Sequence, residues 1–295
     1  MTSQTLNLRG TGVALITPFT AEQTVDYPAL ARVLSHTGQA EGVEYWVVNG
    51  TTAESPTTSA QEKAEILAFV KANNPQRLPI IYGIGGNHTQ AVIEQIRKTD
   101  LHGVSAIMSV SPYYNKPSQQ GIIAHYRAIA DASPLPVIMY NVPGRTGSNM
   151  SAATILTLAE HPNIIAVKDA SANIEQYLQI AKNKPKDFYL ISGDDMHATA
   201  LIAIGGEGVI SVLANAFPTI FSKAIRAALA QDFGTANELL YQLIDINGYM
   251  YEESNPVGLK ALMAQLDLCR PTVRLPLVEA SEALHQKIKA TMPKA

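Results

Sequence analysis

The sequence carries a single cysteine, Cys269, among 295 residues. A lone thiol rules out a disulfide within the chain and fits a reducing compartment. Charge is sparse as well: 16% of residues are charged, and the formal net charge is −3. The lysines and arginines are scattered, so there is no basic stripe for nucleic acid and no polybasic segment for a membrane surface. Long apolar runs are also missing. The most membrane-like stretch, ATALIAIGGEGVISVLANAF (198–217), is cut by three glycines and Glu207. A membrane span needs about 20 continuous apolar residues, so a buried helix followed by a buried strand is expected there. The opening MTSQTLNLRG has no apolar core followed by a small-residue cleavage site, so no secretory leader is expected. The reading is a cytoplasmic protein with no nucleic-acid or membrane partner.

Several chemistries are missing by motif. His36, His88, His102, His125, His161, His197 and His285 never stand at metal-ligand spacing. No Ser–His–Asp order with a nucleophile elbow occurs. The first apolar run continues into ITPFT without a G-x-G-x-x-G turn. GGEG (205–208) reads as a helix C-cap and turn rather than a phosphate cradle. Asp194 and Asp195 could hold a divalent cation. Adjacent strand residues point to opposite faces, however, and acidic residues often cap the next helix, so no metal is expected.

What the chain does have is rhythm. Its 46% hydrophobic content suits one large domain, or a barrel with an appendage. Short Val- and Ile-rich runs recur: VALITPF (13–19), YWVVNG (45–50), PIIYGIG (79–85), AIMSVS (106–111), PVIMYNV (136–142), IIAVKD (164–169), FYLISG (188–193) and GVISVLA (208–214). They are almost continuously apolar, as parallel strands covered on both faces should be. Amphipathic segments separate them. SAQEKAEILAFVKANN (59–74) sets Ala64, Leu67, Ala68 and Lys71 at helical spacing, and TQAVIEQIRKTD (89–100) does so with Val92, Ile93 and Ile96. Ser59 with Glu62 makes a capping-box pattern, and Ser118 and Ser151 open later helices. Eight strands alternating with helices predict an α/β fold, a (β/α)8 TIM barrel over residues 1–230. A C-terminal helical bundle of about three helices is expected over 231–295. A doubly wound sheet is the alternative, but it usually has fewer strands and a Gly-rich first turn.

In such a barrel, chemistry collects at the C-terminal ends of the strands. Those ends hold Thr51, Thr52, Tyr140, Arg145 and one lysine, Lys168, which interrupts an apolar strand. A desolvated lysine has a depressed pKa, attacks a ketone and forms a Schiff base, whose iminium is an electron sink. Tyr140 and Thr51 are placed to relay protons. Arg145 with Gly50-Thr51-Thr52 fits a substrate carboxylate. Taken singly, Tyr140 also reads as core and Arg145 as surface; their shared rim favours function.

GTTAES (50–55), SPYYNKPSQQG (111–121), YNVPGRTG (140–147), VKDAS (167–171), ISGDD (191–195) and GVISVLAN (208–215) resemble the dihydrodipicolinate synthase family. That family belongs to the pyruvate-dependent class I aldolase superfamily, which includes N-acetylneuraminate lyase. The resemblance implies a Schiff base between Lys168 and pyruvate, with no separate cofactor. The enamine would then attack L-aspartate 4-semialdehyde, in lysine and diaminopimelate biosynthesis. It implies Tyr140 as proton relay, Thr51 as its hydroxyl partner, and Tyr114 delivered from a neighbouring subunit. Thr52 would hold the pyruvate carboxylate, Arg145 the semialdehyde carboxylate, and Gly193 and Ile210 would offer backbone carbonyls. A homotetramer is implied, with a dimer as the alternative. Sugar-acid lyases are similar at the lysine and tyrosine. They typically lack the arginine and read Ser-Thr at positions 51–52, so the synthase is favoured over a lyase for a sugar-derived 2-keto acid. A barrel retired from catalysis is the other alternative, against which the whole residue set stands.

Two positions depart from the family pattern. Ala53 replaces a glycine, which would cost about 1 kcal/mol if a positive φ were required there. Ser55, Asn87 and Tyr113 match the family's inhibitory lysine site. However, Ala60 and Lys63 stand where histidine is frequent, and Ala91 where an acid is frequent. Losing an acid and gaining a cation weakens binding of a cationic effector. L-Lysine is therefore expected to inhibit weakly or not at all in a steady-state titration, and an inhibition curve of the family's usual potency overturns this.

Overall fold

The computed structural model describes residues 6–39 and 41–292; residues 1–5 of the opening segment lie outside them. Eight strands close into a barrel in chain order. They are β1 (Gly10–Ala14), β2 (Tyr45–Val48), β3 (Ile80–Gly83), β4 (Ala106–Val110), β5 (Val137–Asn141), β6 (Ile164–Asp169), β7 (Tyr189–Ser192) and β8 (Gly208–Ser211). Neighbours pair in parallel, helices intervene, and further helices follow β8. Nearly every strand residue is buried, which is why the runs read as apolar throughout rather than alternating.

The first strand lies earlier than its apolar run. β1 is GTGVA, and Leu15–Phe19 continue beyond it. Glycine is a poor strand former by propensity, but here packing decides. A Cβ on Gly12 would lie 2.0 Å from the Tyr45 ring on the paired strand. The membrane-like stretch is indeed a helix, Ala198–Ala203, followed by β8. Between them the Gly206 N–H bonds back to Leu201 O and Gly205 takes φ +106°, a helix C-cap.

The capping box is formed: Ser59 Oγ accepts from Glu62 N, and Glu62 Oε2 accepts from Ser59 N. Ser118 and Ser151 also cap their helices, their side chains accepting from Gly121 N and Thr154 N. In Ala60–Ala72 the buried stripe is Ile66, Leu67 and Val70, whereas Ala64 and Ala68 are exposed. The larger apolar side chains remove more surface from water and so choose the face. In Thr89–Lys98 the expected Val92, Ile93 and Ile96 are buried. After the helix Pro218–Leu229 come four helices rather than three: Phe233–Tyr241, Ile244–Glu252, Val257–Gln265 and Glu282–Thr291. A turn at Gln242–Leu243 separates the first two of these. Among the described residues, no helix is long and apolar enough to cross a membrane.

The chain falls into two compact units: residues up to Gly10 with Pro79–Ile210, and Thr11–Leu78 with Ser211 onward. In the first, one row of paired residues runs Val110, Tyr140, Lys168, Ile191 across β4 to β7.

In the second unit, the loop after β2 is held by an ion pair with no solvent contact. Lys260 Nζ donates to Glu54 Oε1 at 2.6 Å and to Thr272 O at 2.9 Å, while Glu54 Oε2 accepts from Arg274 N at 3.0 Å. The Phe19 ring lies between two cations, with Lys260 Nζ 4.1 Å and Arg274 Cζ 4.2 Å from its centroid. Glu54 takes φ 54°, and Ala53 is not among the residues of positive φ. The left-handed turn thus falls one residue after Ala53, and alanine is accommodated without strain. Removing one member of a buried pair strands the other charge. Lys260→Met is therefore expected to lower unfolding stability in urea by about 3–5 kcal/mol; a loss below about 1 kcal/mol overturns this account.

Candidate active site

β6 is made by the β-branched residues Ile164, Ile165 and Val167, paired to β5 on one side and β7 on the other. Alternation along the strand gives adjacent residues opposite faces. Asp169 and its neighbour across the ladder, Asn141, point out to the helix layer, where Asp169 meets Gln176. Lys168 and Tyr140, paired in the preceding row, therefore point to the inside of the barrel.

Lys168 is 4% exposed, and its Nζ stands 4.3 Å from the centroid of the Tyr140 ring. The negative ring face gives the amine a weak partner when charged, but no substitute for water. Burial is the main force on its protonation and pushes the pKa down to about 8. The Asp195 carboxylate opposes that, and the Arg145 guanidinium reinforces it. About one amine in ten is then neutral at pH 7, against about four in ten thousand for an ordinary lysine. A neutral, inward-facing amine beside a phenol is equipped to add to a carbonyl.

Arg145 lies on the short helix Pro143–Thr146 directly after β5. Gly147 ends that helix at φ 68°, a left-handed position, and its N–H returns to Pro143 O. β7 ends at Ser192, so Asp194 and Asp195 sit in the turn beyond it rather than on a strand. Asp194 Oδ1 accepts from the N–H groups of Met196 and His197, while Asp195 is buried. Gly193 N donates to Asp169 O at 2.8 Å. A Cβ on Gly193 would come within 2.8 Å of Ala170 Cβ, so only glycine lets the two strand ends approach. Ile210 is buried in β8.

The structure brings Lys168, Tyr140, Arg145, Gly193 and Ile210 into one unit. Tyr114 belongs to that unit too, but the residue is 87% exposed and its φ is 70°. Within one chain it is no part of the buried cluster. Asn87 and Tyr113 are joined, with Asn87 Nδ2 donating to Tyr113 O at 3.1 Å. Thr51, Thr52 and Ser55 belong to the other unit. There Thr52 Oγ1 accepts from Asn255 Nδ2 at 3.1 Å, and Ser55 opens a single 3-10 turn. The influence of Asp195 on Lys168 was not legible in the sequence, where Asp194-Asp195 suggests a cation site or a helix cap. Nor was the role of Asn255, which no local pattern connects to residue 52.

Residues 7–295 match the dihydrodipicolinate synthetase family. The 4-hydroxy-tetrahydrodipicolinate synthase of Cytophaga hutchinsonii is 50% identical over 280 residues, covering 95% of this chain and 94% of that protein. Among solved structures, dihydrodipicolinate synthase from Aquifex aeolicus is 36% identical with a TM-score of 0.92, covering 96% of this chain and 97% of that one. The chloride-inhibited dihydrodipicolinate synthase from Acinetobacter baumannii, complexed with pyruvate, is 34% identical with a TM-score of 0.93, covering 97% and 98%.

The protonation balance at Lys168 has a direct readout. Reductive methylation of Lys168 by formaldehyde and cyanoborohydride, followed by peptide mass, should rise with pH through a midpoint near 8. Asp195→Asn should lower that midpoint, because it removes the charge favouring the protonated amine, and Arg145→Ala should raise it. A midpoint at the ordinary lysine value of about 10.4 refutes the desolvation argument.

Proposed function

The chain belongs to the dihydrodipicolinate synthetase family, and we propose that it performs that family's reaction through a covalent adduct on Lys168. The protein is a lyase-class enzyme whose activity is 4-hydroxy-tetrahydrodipicolinate synthesis, on the route to diaminopimelate and lysine. The observation that carries the mechanism is the buried Lys168 amine, held over the Tyr140 ring with its pKa near 8.

The neutral Lys168 Nζ adds to the C2 ketone of pyruvate. Loss of water gives an iminium, and loss of a C3 proton turns it into an enamine. C3 attacks the aldehyde carbon of L-aspartate 4-semialdehyde, forming the carbon–carbon bond, and the aldehyde oxygen takes up a proton. The amino group of the semialdehyde then adds to the iminium carbon and expels Lys168, closing the ring. One water is released overall, and the lysine returns unchanged, so the covalent adduct does the work of a cofactor. Tyr140 carries protons to and from Nζ and the carbonyl oxygen. Thr51 is its hydroxyl partner, and Tyr114 joins the relay from a neighbouring copy. The exposure of Tyr114 supports such sharing, in a homotetramer or a dimer. Thr52 holds the pyruvate carboxylate, Gly193 and Ile210 offer backbone carbonyls, and the Arg145 fork takes the semialdehyde carboxylate. A guanidinium at that place favours an acid with its carboxylate close to the aldehyde over a polyhydroxylated sugar aldehyde. The reaction belongs in the cytoplasm, where a lone buried thiol such as Cys269 stays reduced.

Incubation with pyruvate and borohydride should place one reduced adduct on Lys168, and Lys168→Ala should abolish it; an unlabelled Lys168 defeats the mechanism. In a coupled assay, L-aspartate 4-semialdehyde should be consumed in preference to sugar-derived aldehydes, and the reverse order defeats the substrate assignment.

A further inference from the structure

On the outer face of β5 and β6, immediately behind the reacting side chains, four polar side chains form a closed ring. Asn141 Nδ2 donates to Asp169 Oδ2 at 3.1 Å and to Asn149 Oδ1 at 2.8 Å. Asn149 Nδ2 donates to Gln176 Oε1 at 2.9 Å, and Gln176 Nε2 donates to Asp169 Oδ2 at 2.8 Å. Asn141 and Asp169 are fully buried, and Gln176 nearly so. One acceptor sets every amide. A carboxylate only accepts, so Asn141 and Gln176 must turn their NH2 groups toward Asp169. The Gln176 oxygen then faces Asn149, the Asn149 oxygen faces Asn141, and Asn141 Oδ1 is left for one further donor. That donor is the backbone N–H of Met150, at 3.0 Å. The second carboxylate oxygen, Asp169 Oδ1, accepts from Ser171 N at 2.7 Å.

The ring has a consequence for the loop that carries Arg145. Asn141 is the last residue of β5, where the loop begins, and Asn149 and Met150 are where it ends. One buried side chain therefore ties both ends of the segment 142–149. Gln119, on a separate helix, braces the same end: its Nε2 donates to Asn149 O, and its Oε1 accepts from Ser151 N. Asn141 and Asp169 leave their strands on the face opposite to Tyr140 and Lys168.

We propose that Asn141, Asn149, Gln176 and Asp169 act as a positioning ring that fixes the Arg145 loop, and so sets affinity and selectivity for the carboxylate-bearing aldehyde substrate. This rests on the roles given above to Lys168 and Arg145. A largely buried, closed polar network rigidifies what it holds, and an arginine fork rewards that rigidity because two parallel hydrogen bonds need one geometry. The ring acts through Arg145 and does not touch substrate.

The test uses Asn149→Ala and Gln176→Leu in the full-length enzyme. Asn149 is exposed, so its substitution leaves the core packing alone and decides the matter if Gln176→Leu does not fold. KM for L-aspartate 4-semialdehyde should rise about five- to fiftyfold. KM for pyruvate and the yield of reduced adduct on Lys168 should stay within about twofold. In an Arg145→Ala background the same substitutions should add nothing, because the group they position is gone. Equal rises in both KM values overturn the proposal, as does a fall in kcat with both KM values unchanged. Losses that add fully to that of Arg145→Ala overturn it as well. Failure of the functional reading would appear in the wild-type protein, as no adduct or no turnover. Failure of the positioning ring would appear only in the variants.

Discussion

An ammonium ion resists leaving water, and the cost of stripping it is the constraint around which this site is organised. Lys168 Nζ is almost fully buried, with the face of Tyr140 as its near neighbour. A full carboxylate partner in contact would keep the amine protonated and inert. Instead, Asp195 favours the charge, while burial, the larger influence, and Arg145 oppose it. The outcome is an amine balanced near neutral pH. That balance needs a wall of apolar strands around it, and a closed parallel barrel supplies one, because its strands are covered on both faces and carry apolar side chains throughout.

The two strands that carry Lys168 and Tyr140 are used on both faces. Inward, they present the amine and the phenol; outward, one residue later on each, they present Asp169 and Asn141 to the helix layer. Because a strand alternates, the outer residues face the helix layer while the inner ones face the barrel interior. The same outer residues reach round to the end of the loop carrying Arg145. Backbone bonds complete the bracing: the Asp169 carbonyl accepts from Gly193 N, and the Asn141 carbonyl from Ala170 N.

The other unit solves a related problem by different means. The loop holding Thr51 and Thr52 is short, polar and partly left-handed, and such a loop has little packing of its own. Glu54 within it is buried against Lys260, and Asn255 bonds Thr52. A buried ion pair is a poor source of net stability compared with an apolar pair of the same shape. Its value lies in geometry, because each charge permits only the arrangement in which the other satisfies it.

Much of this was written locally. The recurrence of apolar runs announced the barrel, Ser59 with Glu62 announced a helix start, and Lys168 with Tyr140 and Arg145 at one rim marked the candidate site. The errors were local too. The first strand lies over Gly12, which the Tyr45 ring demands, rather than on the most apolar run, and the larger side chains rather than the alanines set the buried stripe of one helix. What no local pattern held was the choice of partners. Asn141 and Asp169 are 28 residues apart, Glu54 and Lys260 are 206 apart, and Thr52 and Asn255 are 203 apart. Periodicity along a chain reports which face of an element is buried. Which charge or amide meets it there depends on how distant elements pack. The sequence by itself therefore determined the order of the elements and the side-chain chemistry available at the candidate site, and only the tertiary structure decided what holds those residues in place.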